Sequence, residues 1–308
     1  MAKRTSPTAR TPRATSKSAR REAAQAELRR EQERQRRTRV LGVSVVVGTV
    51  LVVMGVLVFL GLRWQGGSGA ATTAADPALI QDVTSIPAST YDTVGTGGVK
   101  SPLTAVPSPT PLTADGKPRV MYVGAEYCPY CAAERWAAVT ALARFGTFEG
   151  LGETTSAHGD IYPDTPTLSF HGSTYTSPYL SFTGYETQSN QVQGTTYAPL
   201  DTLSSADEKV FETYDGPPYL DQKGSIPFID FGGQYLTQGA SYSPKLFSGL
   251  THDQVVSEIQ DPSSAVSKSV LGTANYFTAA LCQLTHDQPT KVCTSSAVKA
   301  AAAGLGPS

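Results

Sequence analysis

Cys128-Pro129-Tyr130-Cys131 lies where a strand-length apolar run gives way to a helical pattern, and few folds place two cysteines at such a junction. Residues 119–124 have the length and apolar content of a buried strand and end in a glycine turn. From Cys128 the periodicity turns helical and continues to Phe145, where Gly146 stops it. Pro129 suits a first helical position, where no N–H is lost, and Trp136, Val139 and Ala143 recur on one face at three- and four-residue spacing. A helix that begins at Cys128 offers its sulfur unpaired N–H groups and the positive end of the dipole, which favours a thiolate. Cys128 is therefore the expected nucleophile. Cys131, one turn along, is expected to resolve the resulting mixed disulfide.

The same spacing also serves as half of a zinc site or as a plain short disulfide. A second closely spaced Cys/His pair is missing, although Cys282, His286 and Cys293 offer a set that would complete one. The reading preferred for Cys282 and Cys293 is a structural disulfide, with an electron relay to Cys128 as the sharper alternative. The histidines, at 158, 171, 252 and 286, all lie outside the redox motif and are expected in surface or capping roles. No metal and no cofactor beyond the Cys128–Cys131 pair itself is implied.

Residues 40–62 run 23 positions without a charge, enough to cross a hydrocarbon layer of about 30 Å as a helix. Residues 1–39 carry 13 Lys/Arg against 4 Asp/Glu, in a chain whose totals are 25 and 26, so the remainder is strongly acidic. Only Arg63 follows the apolar run closely. The positive-inside bias then predicts a cytoplasmic tail (1–39), a single transmembrane helix (40–62) and an extracytoplasmic remainder. Orientation and headgroup contact account for the basic tail without a nucleic-acid partner. Residues 63–117, rich in Gly, Ser, Thr and Pro, read as a tether, partly docked from about Pro77.

A domain over 118–295 and a flexible tail over 296–308 complete the expected layout. Within 150–210 the pattern is irregular, with short strands expected at 167–170 and 179–182. Tyr162, Tyr175, Tyr179, Tyr185 and Tyr197 are read there as strand packing rather than a substrate surface. Residues 226–231 read as a buried strand opening with Pro227, turning at Gly232-Gly233 into a partner run at 234–236. Two helices follow, one with a Thr251/Gln254 capping box and one over about 265–284.

Val123 to Cys131, read V-G-A-E-Y-C-P-Y-C, resembles the active-site strand and helix start of the thioredoxin superfamily. The resemblance implies an α/β fold, a thioredoxin-like three-layer domain, with a cis-proline against the redox pair. Gly224-Ser225-Ile226-Pro227-Phe228 matches that loop, making Pro227 the cis-proline and Ile226 the residue that presents its backbone to an extended substrate. Tyr127, Pro129 and Tyr130 join them as expected substrate-binding residues. Pro129-Tyr130 also resembles the glutaredoxin pair, although no glutathione-site signature is evident. Two departures stand out. Tyr122 occupies the place of the superfamily's buried acid, which leaves Glu126 as a substitute for proton transfer, against the ordinary reading of a solvated carboxylate. Cys128 and Pro227 lie 99 residues apart, implying a large insertion over 150–210.

The whole layout resembles a poorly characterised family of membrane-anchored prokaryotic proteins of unknown function. The expected activity is thiol-disulfide exchange on exported proteins, in a direction left open between forming disulfides and keeping apocytochrome or other exported cysteines reduced by opening their disulfides. An integral membrane quinone-linked protein would be a partner in the oxidising direction. The alternative from another class is a non-enzymatic envelope binding or assembly module that kept the fold.

Overall fold

The computed structural model describes residues 67–305, and the basic tail and apolar run of residues 1–62 lie outside them. No helix among the described residues is long and apolar enough to cross a membrane. The body is mixed α/β. Helices α1 (Pro77–Thr84) and α2 (Ala88–Val94) lead to strands β1 (Thr104–Ala105) and β2 (Lys117–Gly124), then helix α3 (Pro129–Leu142). Strands β3 (Gly152–Thr155), β4 (Pro166–Ser169), β5 (Ser181–Glu186), β6 (Gln188–Gln193) and β7 (Thr196–Pro199) follow. Helix α4 (Ser205–Tyr214), the hairpin β8 (Phe228–Phe231) with β9 (Tyr235–Gln238), and helices α5 (His252–Gln260), α6 (Ala265–Leu284) and α7 (Ser296–Ala302) complete it.

Strand β2 is central. It pairs antiparallel with β8 on one side and parallel with β5 on the other, while β9 continues the sheet to β1. Because paired residues share a face, Tyr122 opposite Ile229 and Val120 opposite Phe231 point into the larger core, toward α3 and α6. Met121, Val123, Phe228 and Leu236 point the other way, into a smaller core beside Phe211 of α4. Helices thus cover both faces of the sheet. Each fully buried side chain of the size of Phe228 or Leu236 contributes roughly 1.5–3 kcal/mol.

Several expected boundaries move. The segment expected to be inserted over 150–210 supplies β5, a core strand paired along its full length with the cysteine-bearing strand. Its half-exposed, Gly- and Tyr-containing sequence hides the two-residue alternation that marks a strand. The short strands expected at 167–170 and 179–182 correspond to β4 and to the start of β5. The stretch expected to dock from about Pro77 buries Leu79, Val83, Ile86 and Tyr91, and pairing begins ahead of it, with Thr73–Ala74 against β3. The tail expected to be flexible holds α7, with Ala297, Val298 and Ala301 buried and Asp92 accepting from Ala297 N–H and Ser296 Oγ at its start. An alanine-rich run reads as low complexity, yet these three residues share one helical face. Residues 306–308 lie outside the described residues. The α5 capping box and the bounds of α6 agree with the sequence reading.

Candidate functional site

Strand β2 delivers the chain into the cysteine loop at Gly124, where the register sets Gly124 beside Glu186 and Val123 beside Phe228. Pro227 immediately precedes Phe228, so it stands at the same end of the sheet as the cysteines. The Ile226–Pro227 peptide is cis, as are Pro217–Pro218 and Gln288–Pro289. Pro227 is buried and Ile226 half-buried. Gly124 has a steric reason as well: a Cβ there would lie 2.3 Å from the Tyr122 hydroxyl.

Cys128 is the N-cap of α3, with Pro129 at the first helical position and the Cys131 N–H donating to Cys128 Sγ at 3.4 Å. Both thiols are unbridged; Cys128 is 7% exposed and Cys131 fully buried. Their environments drive them apart. A hydrogen bond from the Cys131 thiol, the Cys131 and Tyr130 N–H groups and the Arg135 charge hold Cys128 below the ordinary thiol range, against its burial. Burial, then the hydrogen bond to Cys128 and the charge that Cys128 carries, push Cys131 well above it. The pair is therefore asymmetric: the first sulfur gives up its proton more readily than the second.

Beneath them lies a buried ion pair absent from the sequence reading. Arg135, one turn beyond Cys131 on α3, donates from Nε to Glu186 Oε1 at 2.8 Å and from Nη2 to Glu186 Oε2 at 2.6 Å. Nη2 also donates to the Ala125 carbonyl at 2.7 Å, and both charged side chains are fully buried. Arg135 Nη1 and the Tyr122 hydroxyl have no hydrogen-bond partner among the described residues. Burial raises the Tyr122 phenol well above its ordinary range despite the Arg135 charge. The signal for this pair was present in part: an arginine four residues after Cys131 in an otherwise alanine-rich helix shares its face.

Glu126, expected in solvent or as a proton carrier, is only 2% exposed and accepts from Ser169 Oγ at 2.6 Å. Solvation is thus corrected to burial, because the turn after β2 tucks this side chain beneath β4. Burial raises Glu186 against the pull of Arg135, and Glu126 nearby adds to the rise, so two carboxylates stand close to one guanidinium. A further buried acid, Glu134 on α3, accepts from Ser241 N–H at 2.9 Å and from Ser241 Oγ at 2.5 Å. Burial outweighs those bonds and pushes Glu134 up to about 7. The same loop returns to Pro227, whose carbonyl accepts from Gly239 N–H at 2.7 Å. Helix α3 and the proline loop are therefore joined through Glu134.

The tyrosines divide into two groups. Tyr175 donates to the Leu142 carbonyl and Tyr185 to Asp207, both packing roles, and Tyr179 packs against the larger core. Tyr197, by contrast, stacks on Tyr127 with ring centroids 4.4 Å apart, and Tyr162 meets Tyr130 edge-on at 5.9 Å. Tyr162, in the loop over residues 157–164, is not in a strand, and Tyr197, on β7, turns its ring onto Tyr127 at the rim of the cysteine site. Cys282 and Cys293 form a disulfide that ties the last turns of α6 to the segment before α7. That bond leaves neither sulfur free as a zinc ligand. His158 and His171 pair with Asp164 and Asp201, and His252 contacts the Thr154 and Thr167 carbonyls, all outside the cysteine loop.

Residues 104–283 match the family described as a domain of unknown function (DUF929), and the chain belongs to that family. The matched stretch contains Cys128, Cys131, Arg135, Glu186 and Pro227 but ends before Cys293. No curated protein and no solved structure matches the chain.

Proposed function

We propose that this protein is a membrane-anchored, extracytoplasmic thiol-disulfide oxidoreductase of thioredoxin-like fold. The observation that carries the reading is the placement of two free thiols at a helix start: Cys128 caps α3 and accepts from the Cys131 N–H, an arrangement that lowers the first thiol and, with burial, raises the second. The strand order supports the thioredoxin-like part, with the cysteine-bearing strand parallel to β5 and antiparallel to the strand that Pro227 opens. The apolar run at 40–62 and the basic residues before it support the anchor and its orientation.

In the reducing direction, the Cys128 thiolate attacks one sulfur of a target disulfide, forms a mixed disulfide and expels the other target sulfur as a thiolate. Cys131 then attacks Cys128 Sγ, closing the Cys128–Cys131 disulfide and releasing the second target sulfur. The Cys131 proton ends on one departing target sulfur, and the other takes from solvent the equivalent of the proton Cys128 had given up, so two electrons and two protons in all pass from the dithiol to the target. Arg135 steadies the negative charge on Cys128, while the substrate lies across Tyr127, Pro129, Tyr130 and the Ile226–Pro227 backbone. Run backwards, the same steps oxidise exported thiols, with a quinone-linked membrane protein resetting the pair.

Equilibration of the full-length chain with glutathione buffers of graded potential tests the reading. Exchange requires a reversible loss of two hydrogens that maps to Cys128 and Cys131, and the midpoint sets the direction. A pair that stays dithiol or disulfide across the whole range contradicts it.

A further inference from the structure

The rim of the cysteine site has a chemical character of its own. The loop over residues 157–164 is held against the site by Ala157 N–H, which donates to the Tyr127 carbonyl at 2.9 Å. This loop brings Tyr162 to Tyr130, and β7 brings Tyr197 onto Tyr127. Four phenol rings therefore frame Cys128. Asp160 stands among them, its Oδ1 accepting from Ile161 N–H at 2.6 Å. Burial raises the Tyr127, Tyr130 and Tyr197 phenols, and the Asp160 carboxylate lies close enough to add to each. Tyr130 is 40% exposed and Ile161 61%, so this rim faces outward.

The charge around it is one-sided. Residues 145–208, which supply the loop and all of β3 to β7, contain eight Asp/Glu and no Lys or Arg. The one side chain on the loop able to carry positive charge, His158, is already paired with Asp164 on the same loop. Arg135 points its charge at Cys128 from below and is spent on Glu186. A carboxylate set among the faces and edges of phenol rings attracts a cation twice, by Coulomb attraction and by the ring quadrupoles.

We propose that the rim of Tyr127, Tyr130, Asp160, Tyr162 and Tyr197 selects substrates that carry a lysine or arginine side chain beside the reacting cysteine. The inference rests on the exchange reading above and deepens it by naming the substrate class. A basic flank places its cation against Asp160 and a tyrosine face while the target sulfur meets Cys128. Acidic flanks meet only like charge.

Two disulfide-linked peptides test this, identical except for arginine or its neutral isostere citrulline next to the cysteine. Their rates of exchange with the full-length chain in detergent are each divided by the rate with dithiothreitol, which removes the intrinsic effect of the flank on the peptide's own sulfur. The expected arginine-to-citrulline ratio is about fivefold or more at low salt, shrinking as salt is added. Asp160→Asn keeps the Oδ1 acceptor for Ile161 and should bring the ratio to about one, and Tyr162→Leu should lower it. Reading a ratio makes any general loss of activity divide out. A ratio near one in the native chain, or one that survives Asp160→Asn, overturns the preference alone. Failure to exchange with either peptide, in either redox direction, overturns the exchange reading and the preference with it.

Discussion

At the scale of residues, the decisive pair is Arg135 and Glu186. A guanidinium without exposure is retained because a carboxylate and a backbone carbonyl satisfy it, and removing one partner leaves an uncompensated buried charge. Glu186→Gln should therefore cost about 3–5 kcal/mol in urea denaturation. Arg135→Met combined with Glu186→Gln should cost much less, while its Cys128 thiolate, followed by absorbance near 240 nm, titrates at higher pH than in the native chain. An unchanged titration would remove Arg135 from the site. Glu134 adds a stability effect whose sign is fixed by its direction. Its value in the fold, about 7, exceeds the ordinary 4.5, so the native state holds the proton more tightly than the unfolded state. Below about pH 4.5 both states are protonated and there is no cost. As pH rises toward 7 the unfolded chain ionises first, and the native state loses up to about 3 kcal/mol relative to a neutral side chain. The urea midpoint of Glu134→Gln should therefore gain on the native protein between pH 4.5 and 7.5, and a constant gap would contradict the burial argument.

At the scale of elements, local signals served where local physics decides. Pro129 after Cys128, the Thr251/Gln254 box and the apolar pattern of residues 265–284 are short-range features, and the start of α3, the start of α5 and both ends of α6 follow them. Strand β5 was obscured because its pairing with β2 is set by tertiary contact, and its own residues alternate poorly. The Arg135–Glu186 bridge was hidden for the same reason, since its halves are 51 residues apart. The helical end of the chain escaped because three small buried residues give only a weak periodic signal. The end of β2 carries its own prediction. Gly124→Ala would press a methyl group onto the Tyr122 hydroxyl, and since both lie at the mouth of the cysteine loop, stability should fall by about 1–3 kcal/mol. Thermal denaturation checks this, and a neutral substitution would mean that the Tyr122 ring is free to swing away.

At the scale of the whole molecule, the sheet and its helices bring one end of β2, the first turn of α3 and the Pro227 loop to a single edge of the fold. The loop over residues 157–164 and β7 then close around that edge, so a stretch that looked like an insertion lines the cysteine site, while the segment before α1 pairs with β3 behind it. The two ends of the described stretch belong to the same body: Asp92 in α2 caps α7, and the Cys282–Cys293 disulfide holds the intervening turn. Deleting residues 296–308 should accordingly lower stability measurably in urea, whereas a dispensable tail would leave the midpoint where it was. The functional claim made for this body is that Cys128 forms transient bonds with exported proteins and Cys131 releases them. Its most direct test is the full-length Cys131→Ala protein expressed in its own cells and recovered after acid quenching. Exchange requires reducible, high-mass adducts on Cys128 that vanish when Cys128 is also replaced by serine; the absence of any such adduct under both oxidising and reducing growth would contradict it.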